Sequence, residues 1–312
     1  MIISASRRTD LPCFYAEWLV NRLQAGFVWV RNPMNGHQVS EVSLSPEVVD
    51  GLVLWTKNPL PLLSHLEALP DCPYYFQFTL TPYAKVLEPG LPEKQSVLIP
   101  AFQALAKRLG RERVIWRYDP IFFSPRYTAE VHVQCFARMA AQLAGYTEEC
   151  TVSFLDYYRN TARRMRLHRV VQETAAERFD LMARFAEIAQ RYGLALTTCA
   201  ETQDFSALGI GHAHCIDKER LERLGGVSLK LVKDKHQRPA CGCVESIDIG
   251  AYHSCVNGCA YCYATSSRAR AQKNRQLHDP TSPLLFGSLG PEDVVKPRRM
   301  TSCRQAQLSL FE

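Results

Sequence analysis

The sequence predicts an α/β fold, a full or partial β/α barrel of the TIM type. Three observations predict it. Short apolar runs suited to strands recur through the first two-thirds of the chain. Helix-length stretches separate most of them. The length of 312 residues suits one barrel-type domain with a tail. Strands that alternate with helices run parallel and are joined by right-handed crossovers.

The elements follow in order. A strand over 1–5 runs into Ser6, Arg7, Arg8, Thr9 and Asp10. A helix over 14–23 follows the Leu11, Pro12 pair. The strand at 53–55 leads into Thr56, Lys57 and Asn58, and the strand at 74–80 into Thr81 and Pro82. A helix at 96–109 precedes a strand at 114–117, which gives Arg117, Tyr118 and Asp119. A helix at 128–143 precedes a strand at 151–154, followed by Asp156. In the helix at 175–192, Phe179, Met182, Ala183, Ala186 and Ala189 are spaced as one apolar stripe facing a core. The strand at 194–198 leads into Cys199 and Glu201. A short strand at 246–250 comes last. There is no internal repeat and no low-complexity linker.

Nearly every strand thus ends in charged or hydroxyl residues. In a parallel barrel the C-terminal strand ends form the functional face. Arg7, Arg8, Lys57, Arg117 and Asp119 are expected to line a substrate mouth there. Helix capping accounts for Asp and Thr at such places, but not for Arg and Lys.

With 46% hydrophobic and 22% charged residues, the composition is that of a globular protein with a sizeable core. No run of 18 apolar residues is present and the N-terminus lacks a signal-peptide layout, so a cytoplasmic protein without a membrane span is expected. The net charge of +6 permits contact with nucleic acid without establishing it. A basic run, Arg159, Arg163, Arg164, Arg166 and Arg169, reads most simply as a solvated face.

Twelve cysteines need an explanation. Cys13, Cys72, Cys135 and Cys150 are scattered and read as small buried hydrophobes or surface thiols. Cys255, Cys259 and Cys262 form a Cys-x3-Cys-x2-Cys triplet with Tyr261 before the third. Three thiolates at this spacing can hold three corners of a four-iron cluster and leave the fourth iron open. Zinc sites more often pair Cys-x2-Cys elements with four ligands, and fit this triplet less well. Cys199, Cys215, Cys241 and Cys243 make a second set. Four thiolates satisfy a complete iron–sulfur cluster or a zinc ion, and Gly242 is expected to let its two neighbours approach one metal.

The triplet with its aromatic residue resembles the signature of the radical S-adenosylmethionine (SAM) superfamily. The resemblance implies a 4Fe-4S cluster and SAM as cofactors, with Tyr261 against the adenine. It also implies a one-electron reductant of flavodoxin or ferredoxin type. Radical SAM proteins usually carry the triplet after the first barrel strand. Here it follows the last, which a circularly permuted barrel would still bring to the same mouth. The usual Gly-Gly-Glu stretch for the SAM amino group is missing, so Asp10 or Ser6 would have to replace it. Residues 4–10, 54–59, 116–120 and 241–262 together resemble a prokaryotic family of unknown function with a C-terminal cysteine cluster likened to the radical SAM one. Among characterised enzymes, spore photoproduct lyase, a DNA-repair enzyme, is the nearest analogy.

The chain ends Gln307, Leu308, Ser309, Leu310, Phe311, Glu312. Residues 307–311 resemble the peptide by which bacterial DNA-maintenance proteins bind the sliding clamp, an extended segment with an amide anchor and apolar side chains for a pocket. The expected organisation is a barrel over 1–290 with the iron–sulfur loop near its end, then a flexible tail over 291–312. The leading expectation is a radical SAM enzyme that repairs or modifies DNA or another nucleic acid. The alternatives are a radical SAM enzyme on a small anionic metabolite or peptide, and a non-enzymatic zinc or iron–sulfur module associated with DNA.

Overall fold

A computed structural model describes residues 1–157 and 159–305. Its strands are β1 (Ile2–Ala5), β2 (Phe27–Arg31), β3 (Gln38–Ser43), β4 (Gly51–Thr56), β5 (Tyr74–Thr79), β6 (Val114–Ile121), β7 (Glu149–Phe154), β8 (Ala195–Thr198), β9 (Gly211–His212), β10 (Ile247–Asp248) and β11 (Val294–Pro297). The helices are α1 (Leu11–Phe14), α2 (Ala16–Ala25), α3 (Leu60–Leu63), α4 (Ile99–Leu109), α5 (Ala129–Leu143), α6 (Arg159–Arg166), α7 (Ala175–Arg191), α8 (Lys218–Gly225) and α9 (Arg268–Gln276).

Eight strands form one sheet in the order β10-β1-β4-β5-β6-β7-β8-β9, and every neighbouring pair is parallel. From β1 onward the order follows the chain without turning back. A doubly wound sheet would show a reversal at a switch point. β10 departs from chain order and lies on the free side of β1, with Ser4 opposite Asp248.

Side chains alternate between the two faces of each strand, and the two faces differ. Ile3, Leu54, Phe76, Trp116 and Val152 share one core with Trp18 of α2, Phe102 of α4, Phe136 of α5 and Phe185 of α7. Phe136 stacks on Phe185 at 4.0 Å and on Trp116 at 5.0 Å. Each ring buried in this way stabilises the fold by about 1.5–3 kcal/mol. The opposite face carries Ile2, Val53, Tyr75 and Ile115. The segment after β9 covers it, with Cys215, Ile216, Leu221, Leu229, Cys241, Cys243 and Val244.

Three expectations change. The buried stripe of α7 is Leu181, Met182, Phe185, Ile188 and Ala189. Phe179 is exposed and lies against Phe205. The larger apolar area of Leu181, Phe185 and Ile188 outweighs the alanines that defined the expected stripe. The second change is a small sheet, β11-β3-β2, which was not expected. The third concerns the stretch from 291 onward, expected as a tail, which contributes a strand to that small sheet. β11 pairs with β3, and Arg31 reaches Asp293 at 2.8 Å. Ser302 Oγ and the Cys303 N–H both donate to the buried Asp50 at 2.6 Å. The clamp-like peptide at 307–311 lies outside the described residues. Among those described, no helix is long and apolar enough to cross a membrane.

Candidate thiolate centres at the C-terminal end of the sheet

The triplet loop begins seven residues after β10, beside β1. Cys259 is buried, while Cys255 and Cys262 are partly exposed. Cys255 lies within electrostatic reach of both other thiols and of Asp10. Burial pushes the Cys259 thiol up to about 12, against the pull of the Lys57 ammonium. The loop fits its surroundings closely. Gly90 donates its N–H to the Asn257 carbonyl at 2.9 Å, and a Cβ on Gly90 would stand 2.7 Å from Asn257 Cα. Gly258 has φ +70°, a conformation that favours glycine. Arg164 of α6 donates to the carbonyls of Thr265, at 2.8 Å, and Cys262. At least one member of the basic run therefore holds this loop rather than facing solvent.

A buried ionic network backs the loop. Glu88, with a side chain 1% exposed, pairs with Lys57 at 2.9 Å and with Lys94, and accepts from Thr81 at 3.0 Å. Burial opposes the Glu88 carboxylate, but the two ammonium groups outweigh it and hold its pKa below the usual range. Tyr261 donates its hydroxyl to Glu88 and receives the Lys57 ammonium at 2.9 Å. Its ring lies among Tyr83 and Phe122.

The second set converges from separate segments onto the covered face of the sheet. Cys199 Sγ stands 2.9 Å from Cys215 Sγ. Cys215 also meets Cys243, and Cys243 meets Cys241. The four thiols form a connected chain. Among the described residues no group of three or more His, Cys, Asp or Glu is placed so that it could hold a metal ion. The hydrogen bond with Cys243 lowers the Cys241 thiol to about 7. Arg117 donates Nη1 to Cys215 Sγ at 2.9 Å and to Gln77 at 3.2 Å, and pairs with Asp119 at 2.5 Å. Trp55 lies near both arginines, 5.3 Å from Arg117 and 5.9 Å from Arg7. A Cβ on Gly242 would lie 2.3 Å from the His214 ring, so glycine also makes room for that side chain.

The predicted mouth residues do gather at this end, but most are engaged within the protein. Lys57 is paired with Glu88, and Arg117 with Asp119 and Cys215. Arg7 donates to Ser246 at 3.2 Å. Arg8 has a side chain 24% exposed, over the Tyr252 ring and 3.9 Å from Asp248. The two residues expected to receive the SAM amino group are also engaged. Ser6 donates to Asp248 at 2.6 Å. Asp10 caps α1 at the Cys13 N–H and accepts the Lys57 N–H at 2.8 Å. Burial raises its pKa to about 6. The unpartnered buried oxygens around the triplet loop are instead Thr9 Oγ1, Asn257 Oδ1 and Thr265 Oγ1. Sequence reasoning missed Glu88, which lies in a loop with no motif around it. It also missed Asp248, although its place opposite the Ser4 and Ser6 hydroxyls follows from pairing the first and last predicted strands.

Fold and site define a class: an α/β protein with a wholly parallel principal sheet, one set of cysteines on a loop after its edge strand β10 and a second set on its covered face. Within that class, the chain belongs to the family described as a domain of unknown function (DUF1848), which matches residues 2–264 and so takes in both sets. No curated protein matches the chain.

Proposed function

We propose that this chain is a radical SAM enzyme built on a circularly permuted, partial β/α barrel, with a 4Fe-4S cluster on Cys255, Cys259 and Cys262. The observation that carries the reading is the pairing of β10 with β1. It sets the triplet loop at the C-terminal end of a strand next to β1, where a triplet following a first barrel strand would also lie. The residues fit the group in kind: three thiols on one loop within electrostatic reach of one another, backed by a cation, with unpartnered oxygens around them. When bound, the cluster supplies an open iron for SAM and the electron that splits its carbon–sulfur bond.

The chain's own residues bind, orient and shield. Arg164, Gly90 and the Lys57–Glu88–Lys94 network hold the loop in one conformation. Lys57 places positive charge beside Cys259 and favours its thiolate. Asn257 Oδ1 and Thr9 Oγ1 are the acceptors suited to an ammonium group in place of Ser6 and Asp10. The aromatic cluster of Tyr83, Phe122 and Tyr127 keeps water from one side of Tyr261.

Nucleic acid is the substrate this reading favours. Eight Lys/Arg against four Asp/Glu over 263–312 and the clamp-like residues 307–311 support it. The paired state of Lys57 and Arg117 favours the second reading, a small anionic substrate met by Arg8 alone. The test is anaerobic reconstitution, iron counting and dithionite-driven SAM cleavage. About four irons at the triplet with release of 5′-deoxyadenosine is the expected result. Undiminished release from an iron-loaded Cys259→Ala protein overturns the assignment. Capture of the sliding clamp by the full chain and its loss on removing 307–311 separates the nucleic-acid reading from the metabolite one.

A further inference from the structure

We propose that Cys199, Cys215, Cys241 and Cys243 bind a single zinc-type divalent ion, and that this ion clasps together the two ends of the parallel sheet. The site stands independently of any cluster on the triplet.

The placement of the four residues carries the inference. β9 and β10 are the terminal strands of the sheet and do not pair with each other. Cys199 directly follows β8 and Cys215 follows β9, whereas Cys241 and Cys243 precede β10. Next to the thiols the chain leaving β9 meets the chain entering β10. The Val244 N–H donates to the Ile216 carbonyl at 3.1 Å, and the Ile216 N–H to Cys243 Sγ at 3.4 Å. The sulfurs sit where the sheet lacks a ladder to join its ends.

The donor set suits one ion. The 2.9 Å between Cys199 and Cys215 is longer than a disulfide bond of about 2.05 Å and shorter than a contact between unbonded sulfurs. Four thiolates at about 2.3 Å from a tetrahedral ion stand about 3.8 Å apart. A four-iron cube would need its sulfurs spread much wider, and Cys215, Cys241 and Cys243 are already buried against Ile216 and Val244.

Charge and hydrogen bonding agree. A divalent ion with four thiolates is a dianion. The Arg117 guanidinium, with a side chain 5% exposed, lies against Cys215, and Arg7 lies within electrostatic reach of Cys243 and Cys215. N–H donors on ligand sulfurs, here Arg117 Nη1 and the Ile216 amide, are the outer-shell contacts that orient thiolate ligands.

The test uses the full-length chain with Cys255, Cys259 and Cys262 all changed to Ala, so that any metal found belongs to the second set. The expected result is about one zinc per chain, no iron–sulfur absorption, and a tetrahedral tetrathiolate spectrum when cobalt replaces zinc. Changing Cys241 and Cys243 to Ser as well should remove the metal. An iron–sulfur cluster in the triple variant, absence of metal, or a Cys199–Cys215 disulfide in the intact mass overturns the proposal. Should the variants not fold, mass mapping of alkylated cysteines in the unaltered chain decides. Protection of these four thiols that a chelator abolishes supports the site, and labelling that a chelator does not change overturns it.

Discussion

The two cysteine sets differ in how they are assembled. The triplet lies within one short loop, and its spacing is written in consecutive residues. The other four thiols come from segments 44 residues apart at the extremes, Cys199 to Cys243, and only the fold makes them neighbours. The surroundings differ too. The triplet is backed by a carboxylate bridged by two lysines, whereas the second set meets an arginine directly on sulfur. A loop that carries its own ligands leaves the rest of the chain to supply charge and enclosure. In the zinc proposal, a set gathered from strand ends makes the sheet's closure and the metal's binding one event.

The largest expected effect separates the two sets outright. Cys259→Ala should lower SAM cleavage to background while the second metal stays, and Cys243→Ser should do the reverse to metal content. Iron and zinc counting on both proteins checks this, and loss of both metals from either variant breaks the distinction. Next in size is the ionic core behind the triplet. Glu88→Gln leaves Lys57 and Lys94 without their buried counter-charge and should cost about 3–5 kcal/mol in urea unfolding. A loss below about 1 kcal/mol, the range of a surface pair, would mean that the network is solvated.

Two carboxylates near the triplet give opposite pH signatures. Glu88 has its pKa lowered from 4.5, so its stabilisation is present above that value and is lost as pH falls through the lower folded pKa. Asp10 has its pKa raised from 3.8 to about 6, so its contribution is present at low pH and is lost as pH rises across that interval. Asp10→Asn should remove the decline between about 4 and 6 while leaving the acid limb, and Glu88→Gln should flatten the acid limb. Denaturation midpoints against pH check both, and a shared profile would contradict the assignment. The smallest effect is expected from Gly90→Ala, where the added methyl meets the backbone of Asn257. A cost of about 1–3 kcal/mol is expected, with faster loss of iron from the triplet and unchanged zinc.

Much of the principal sheet was legible because its strands are buried on both faces and read as plain apolar runs. β2, β3 and β11 were not, since Gln38–Ser43 mixes Val39 and Val42 with Glu41 and serines. The pairing of β11 with β3 also joins residues more than 250 positions apart. The stripe on α7 was placed on the wrong residues because spacing alone weighs Ala186 as heavily as Phe185. At the site, the polar strand ends gather as expected. Their partners could not be read, because Glu88, Asp248 and Cys215 reach Lys57, Ser6 and Arg117 only through the fold.

The sequence by itself determined the α/β alternation, the positions of most principal strands and helices, and the local spacing of the triplet. Each of these is set by side chains a few residues apart. Only the tertiary structure decided that Lys57 and Arg117 face partners inside the protein and that four distant thiols meet. These depend on which strands pair and on where a buried charge finds its counter-charge. Burial makes an unpaired group costly, so the fold rather than the local sequence selects its partner.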